Sequence, residues 1–252
     1  MTLQPLTTRQ SVLLFSISAG IFRLSVYHLM PYLHRNGLSE FWSFIFSYSL
    51  PLALMLTAAV VGVAAENNLA CWRHRLRLHT LTWRTVGIST GLFAVSFLAS
   101  GLLLPSAALL ASYGPFAPPA FLPAVLNPLR APPFGELLTF MGVSLRGAYW
   151  VLPVYFTFLT VFNIMGEEVW FRGYMLPRQE LAWGKLTWLY HGLFWCLFHF
   201  PLYPWMIVYL LPTTLAVSYA AYSLKTTWGG FIVHYLGNGL LVFLPIALAV
   251  VK

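Results

Sequence analysis

The sequence predicts an all-α protein: a polytopic integral membrane helix bundle of seven to eight transmembrane helices, with a polar site inside the bundle. Three observations carry that prediction. Of the 252 residues, 59% are hydrophobic and only 8% charged, and the mean hydropathy is +0.75. A soluble domain carries about 25% charged residues, so most of this surface must face lipid. Apolar runs close to the ~20 residues needed to cross a hydrocarbon core recur along the whole chain. The basic residues gather between those runs rather than inside them.

The first run, Ser11–Tyr32, is long enough to span and lacks a small-x-small cleavage site, so it reads as a retained helix. Phe41–Ala64 and Thr85–Leu104 follow, then Tyr149–Met165, Thr187–Phe200, Tyr203–Leu224 and Gly229–Val251. Phe134–Leu145 is expected to add a shorter helix near the interface. Pro105–Pro133 is too rich in proline for a clean span, because proline cannot donate to a helix and biases its predecessor toward extended geometry. It is expected to be a loop or a broken re-entrant segment. Arg73, Arg75, Arg77 and Arg84 fall in one connecting segment, which the positive-inside rule makes cytoplasmic. That choice also puts the N-terminus in the cytoplasm and brings Arg178 and Lys185 to the same side. Arg130 and Arg146, on the outer side, run against it. No internal repeat or linker divides the chain, so one membrane domain, residues 1–252, is expected.

The net charge of +8 follows from this topology signal. No alternating basic and aromatic surface suggests a nucleic-acid partner. Cys71 and Cys196 lie in a basic loop and an apolar run, and no disulfide framework is expected.

Within this apolar chain the acidic residues number six, with no aspartate, and two stand side by side in Gly166-Glu-Glu-Val-Trp-Phe-Arg-Gly173. An ionisable group at membrane depth costs at least about 2.5–3.5 kcal/mol unless a partner or a water-filled cavity relieves it. Glu168 and Arg172, four apart, share a helical face in the acid-first order that favours an ion pair. Glu167 is rotated by about 100° on an ordinary helix and is expected to face a cavity. The competing reading is a salt-bridge cluster that only fixes packing. His199 ends an apolar run, and His234 and Asn238 lie four apart on one face of the last span. Alone, His199 reads more readily as a satisfied polar residue, and the competing reading of His234 and Asn238 is an interhelical clamp. Together, a glutamate and a histidine suffice to hold and deprotonate a water, and His and Asn donors suffice to stabilise an oxyanion. Zinc at Glu167, His199 and His234 is the rival chemistry, although no His-Glu-x-x-His or cysteine pair supports it. Serine protease chemistry fares worse still, since the chain has no aspartate for a triad and no Gly-x-Ser-x-Gly.

Glu167-Glu168-x-x-x-Arg172, Trp195-x-x-x-His199 and His234-x-x-x-Asn238 occur in that order on apolar segments. They resemble the three motifs of the CAAX-protease and bacteriocin-processing (CPBP/Abi) family of intramembrane glutamic endopeptidases. The second motif ordinarily carries phenylalanine where this chain has Trp195. The resemblance covers residues 149–244, a catalytic core within the membrane domain. It implies Glu167 as catalytic glutamate and His199 as its partner in activating water. It further implies His234 and Asn238 as the oxyanion hole, with Glu168 and Arg172 bracing the site. It implies no cofactor and a protein or peptide substrate at the lipid bilayer; for the multi-pass protein a bacterial inner membrane is the preferred setting. A non-catalytic immunity or regulatory protein using the same fold is the alternative. A proton-coupled transporter is a third reading, without the paired helical halves that would support it.

Overall fold

The computed structural model describes residues 3–66, 71–131 and 136–252. It is helical almost throughout, with one two-stranded hairpin among the described residues. The apolar runs become helices whose ends are closed by local hydrogen bonds. Helix α1, Thr8–Arg35, begins where Thr7 accepts from the Gln10 N–H and Gln10 accepts from the Thr7 N–H, a reciprocal cap. Ser39 caps α2, Glu40–Ala65, and Thr82 caps α3, Trp83–Leu103. Helix α4 runs through residues 151–183, with two π-helical segments, Phe158–Met165 and Glu168–Met175, in its middle. Helix α5, Thr187–His199, stops just before Pro201, and α6, Pro204–Leu224, ends at Lys225 in the left-handed region. Thr226 then caps α7, Thr227–Val251.

By length and apolar composition, five helices among the described residues (α1, α2, α3, α6 and α7) can cross a membrane. The expected seven to eight are not reached on that measure, for two different reasons. Helix α4 is long but carries Glu167, Glu168, Arg172, Arg178 and Glu180. Helix α5 has 13 residues, about 20 Å of helix at ~1.5 Å per residue. Helix α3 shows the opposite character: its exposed side chains include Val95, Leu98 and Leu102, as a lipid solvent allows.

The short helix expected at Phe134–Leu145 is not formed. Phe134, with Pro132 and Pro133, lies outside the described residues; beyond them Thr139–Phe140 pairs antiparallel with Val143–Ser144. Met141 and Gly142 between these strands have φ of 49° and 72°. Two successive residues of positive φ are what a type I′ hairpin turn requires and what a right-handed helix forbids. The described part of Pro105–Pro133 opens as a seven-residue helix, Pro105–Ala111, then breaks into 3₁₀ turns at Gly114–Phe116 and Ala124–Leu126.

One face of the bundle is clasped by charge. Arg77 of the basic segment and Lys225 of the α6–α7 turn both bind Glu180 on α4, at 2.6 and 2.7 Å. Thr227 donates its N–H to the Arg77 carbonyl, and Leu6 donates to the Arg178 carbonyl. The basic segment, the end of α4 and the start of α1 therefore share one side. Behind α4, aromatic side chains of α1 and α2 build a wall. Phe15 stacks on Phe171 with centroids 4.9 Å apart, and Phe22 meets Tyr48 and Phe198 edge-on. Trp170 donates to Ser18 Oγ at 3.2 Å. Gly166 lets α4 approach α2 closely, since a β-carbon there would lie 3.0 Å from the Leu52 carbonyl.

Candidate active site

The middle of α4 carries Asn163 in its first π segment, Glu168 and Arg172 in its second, and Glu167 at the junction between the two. A π turn closes from i to i+5 and so holds more residues than an α turn. Neighbours on it are rotated by less than the 100° of an ordinary helix. Glu167 and Glu168 nevertheless enter different surroundings. Glu167 is 3% exposed, and Glu168 and Arg172 are fully enclosed.

Glu168 belongs to a charged network. Arg172 Nη1 lies 3.1 Å from Glu168 Oε1, and His234 Nδ1 lies 2.9 Å from the same oxygen. Glu168 is thus bound from its own helix and from α7. Glu167 is held instead by neutral donors. The Trp195 indole N–H donates to Oε2 at 2.9 Å, and the Asn163 amide donates to Oε1 at 3.4 Å. Among the described residues, no ion pair joins Arg172 to Glu167.

Trp195 is where these groups meet. The Arg172 guanidinium lies 3.5 Å over its ring, a cation–π contact. The rings of His199 and His234 stand edge-on to it at 5.3 and 5.2 Å. The fold thus brings Glu167, Glu168, Arg172, His199 and His234 around one indole. Asn238 attaches at the rim, where its Nδ2 lies 3.1 Å from His234 Nε2. Trp195 and His234 are buried, His199 is half-buried and Asn238 is exposed, so polarity runs from the dry centre to the bundle surface.

The protonation of both imidazoles follows from their partners. His199 Nδ1 lies 2.8 Å from the Trp195 carbonyl. A carbonyl only accepts, so Nδ1 carries the proton and a neutral ring offers the Nε2 lone pair. His234 Nδ1 faces a carboxylate, so it donates there, and Nε2 accepts from the Asn238 amide. In this arrangement the His234 and Asn238 side chains bind each other; to point at an oxyanion, Asn238 has to turn away from His234.

Four residues of the site are missing from the sequence reasoning. In the sequence Trp195 stands out only as a departure from phenylalanine, not as a donor. Asn163 precedes Glu167 by four residues, a spacing that signals a shared face. Gly230 lies against Glu168, and a β-carbon on it would come within 2.4 Å of Oε2. His191, one turn before Trp195, donates from Nδ1 to Gln179 Oε1 at 2.6 Å, and both residues are fully buried. Cys196, next to Trp195, is buried and donates weakly to the Ile207 carbonyl. Among the described residues, no group of three or more His, Cys, Asp or Glu side chains is placed to hold a metal ion.

No curated protein and no solved structure matches this chain. Residues 148–240 match the family profile described as type II CAAX prenyl endopeptidase Rce1-like. The match favours a hydrolase over the interaction-protein and transporter readings, and its residues include all the polar groups gathered around Trp195. Through this region the chain is similar to the Rce1-like type II CAAX prenyl endopeptidases, a likeness that implies a peptide-bond hydrolase, and five of its described helices are long and apolar enough to cross a membrane.

Proposed function

We propose that the protein is a glutamic endopeptidase that works without a metal and cuts a membrane-associated protein or peptide inside the bilayer. Glu167 takes a proton from a water that His199 Nε2 helps to hold, and the oxygen of that water attacks the scissile carbonyl carbon. Asn238, turned from His234, donates to the resulting oxyanion, and His234 becomes the second donor once its Nε2, released by the Asn238 amide, has taken up a proton from water while Nδ1 keeps its bond to Glu168. Collapse of the tetrahedral intermediate breaks the C–N bond. Glu167 returns its proton to the leaving amine, and the proton left on the attacking oxygen passes from the new carboxylic acid to that amine, so the products are a carboxylate and an ammonium. Glu168 and Arg172 act as a brace. The substrate approaches from the Asn238 side, where the polar chain reaches the bundle surface.

One observation carries this assignment. Arg172 pairs with Glu168, while Glu167 receives neutral donors and borders the same indole as His199. A carboxylate without a cationic partner keeps the basicity that proton abstraction needs, whereas an arginine-paired one loses it. The charge clasp at Arg77, Glu180 and Lys225, with the N-terminus on the same side, supports a cytoplasmic N-terminus under the positive-inside rule. A bacterial inner membrane is the setting we propose.

The test compares protein termini in native-host membranes carrying wild type, a deletion, or well-accumulated Glu167→Ala. New termini made by wild type and lost in the other two are expected, and they identify the substrate. An alanine variant that produces the wild-type set would remove Glu167 from the mechanism.

A further inference from the structure

We propose that Trp195 is a positioning residue for Glu167. Its indole N–H fixes the rotation of the carboxylate so that the free lone pairs face water and substrate. This deepens the glutamic mechanism above and rests on Glu167 being its base.

The geometry supports it from three sides. The Nε1–H donor points to one acceptor, Glu167 Oε2 at 2.9 Å, from a side chain only 2% exposed. A buried N–H without an acceptor is costly, so carboxylate and indole hold each other in place. The ring is itself held, because Arg172 lies 3.5 Å over its face. That cation draws electron density from the indole and strengthens the N–H as a donor. It does so without the guanidinium touching Glu167, so the base stays unpaired. The backbone of the same residue orients the second group, since the Trp195 carbonyl fixes the proton of His199 on Nδ1. One residue thereby sets the angle of Glu167 with its side chain and the tautomer of His199 with its main chain. A phenylalanine here would keep the backbone contact and lose the tie to Glu167.

The test separates the N–H from the bulk of the ring. Position 195 is replaced by phenylalanine and, separately, by β-(3-benzothienyl)alanine, which keeps the fused-ring shape and substitutes sulfur for the N–H. Full-length proteins are compared for the rate at which Glu167-dependent termini appear in host membranes, normalised to protein present, and for thermal midpoint. In nanodiscs, the ¹⁵N-indole resonance lost in Trp195→Phe is followed in Glu167→Ala. We expect both 195 variants to slow cleavage about tenfold or more, the weight of a hydrogen bond to a charged group. The benzothienyl protein should keep the wild-type midpoint, and Glu167→Ala should move the indole resonance. A benzothienyl protein cutting at the wild-type rate, or a resonance indifferent to Glu167→Ala, would overturn the positioning role while leaving Glu167 as the base. Termini that persist in Glu167→Ala would instead overturn the glutamic mechanism and this role with it.

Discussion

Gly230 of α7 lies directly against the Glu168 carboxylate of α4: a β-carbon on the glycine would sit 2.4 Å from Oε2 and 3.3 Å from Arg172 Cγ. The brace between the two helices closes only because that position has no side chain. Gly230→Ala must push α7 away or turn Glu168 from Arg172 and His234. Overpacking of this kind costs about 1–3 kcal/mol. The variant should show a lower thermal midpoint and impaired cleavage together. A protein as stable and active as wild type would mean that the helices yield at no cost.

Glu168 and Arg172 should behave as a unit. Both are fully enclosed, and removing one partner of a buried pair leaves an uncompensated charge worth about 3–5 kcal/mol. Glu168→Gln and Arg172→Met should each accumulate poorly. The double variant should accumulate better than either, because it leaves no unpaired charge. Single defects that simply add in the double variant would show that the pair is not coupled.

Asn238 separates catalysis from binding. If its amide turns to the oxyanion, Asn238→Ala should lower kcat about 10²–10³-fold, the cost of losing one such donor. KM should change little. A defect confined to KM would assign Asn238 to substrate contact.

Composition and charge placement suffice for the general architecture, because lipid leaves few ways to satisfy a backbone other than helices. They fail where local geometry departs from the average. Leu137–Leu145 is apolar enough to resemble a short helix, but Met141 takes a positive φ that nothing in its chemistry announces. Helix α4 escapes a hydropathy reading because the charges that make it interesting also lower its apolarity. At the site, four-residue spacing puts Glu168 beside Arg172 and His234 beside Asn238. Spacing is silent on partners from other helices. The indole on Glu167, the imidazole on Glu168 and the glycine against its far oxygen all arise between α4, α5 and α7, where only tertiary packing decides.

The aromatic wall of α1 and α2 bears on autonomy. Residues 148–240 hold every polar group of the site, yet Phe171 and Phe198 beside those groups rest on Phe15 and Phe22, far outside that stretch. Cut down to its recognisable part, the protein would retain its reactive groups and forfeit the surface that orders them. The helices without a family signature are therefore no mere membrane tether. They are half of the mould in which the recognisable half is cast, and transplanting the latter requires carrying the former with it.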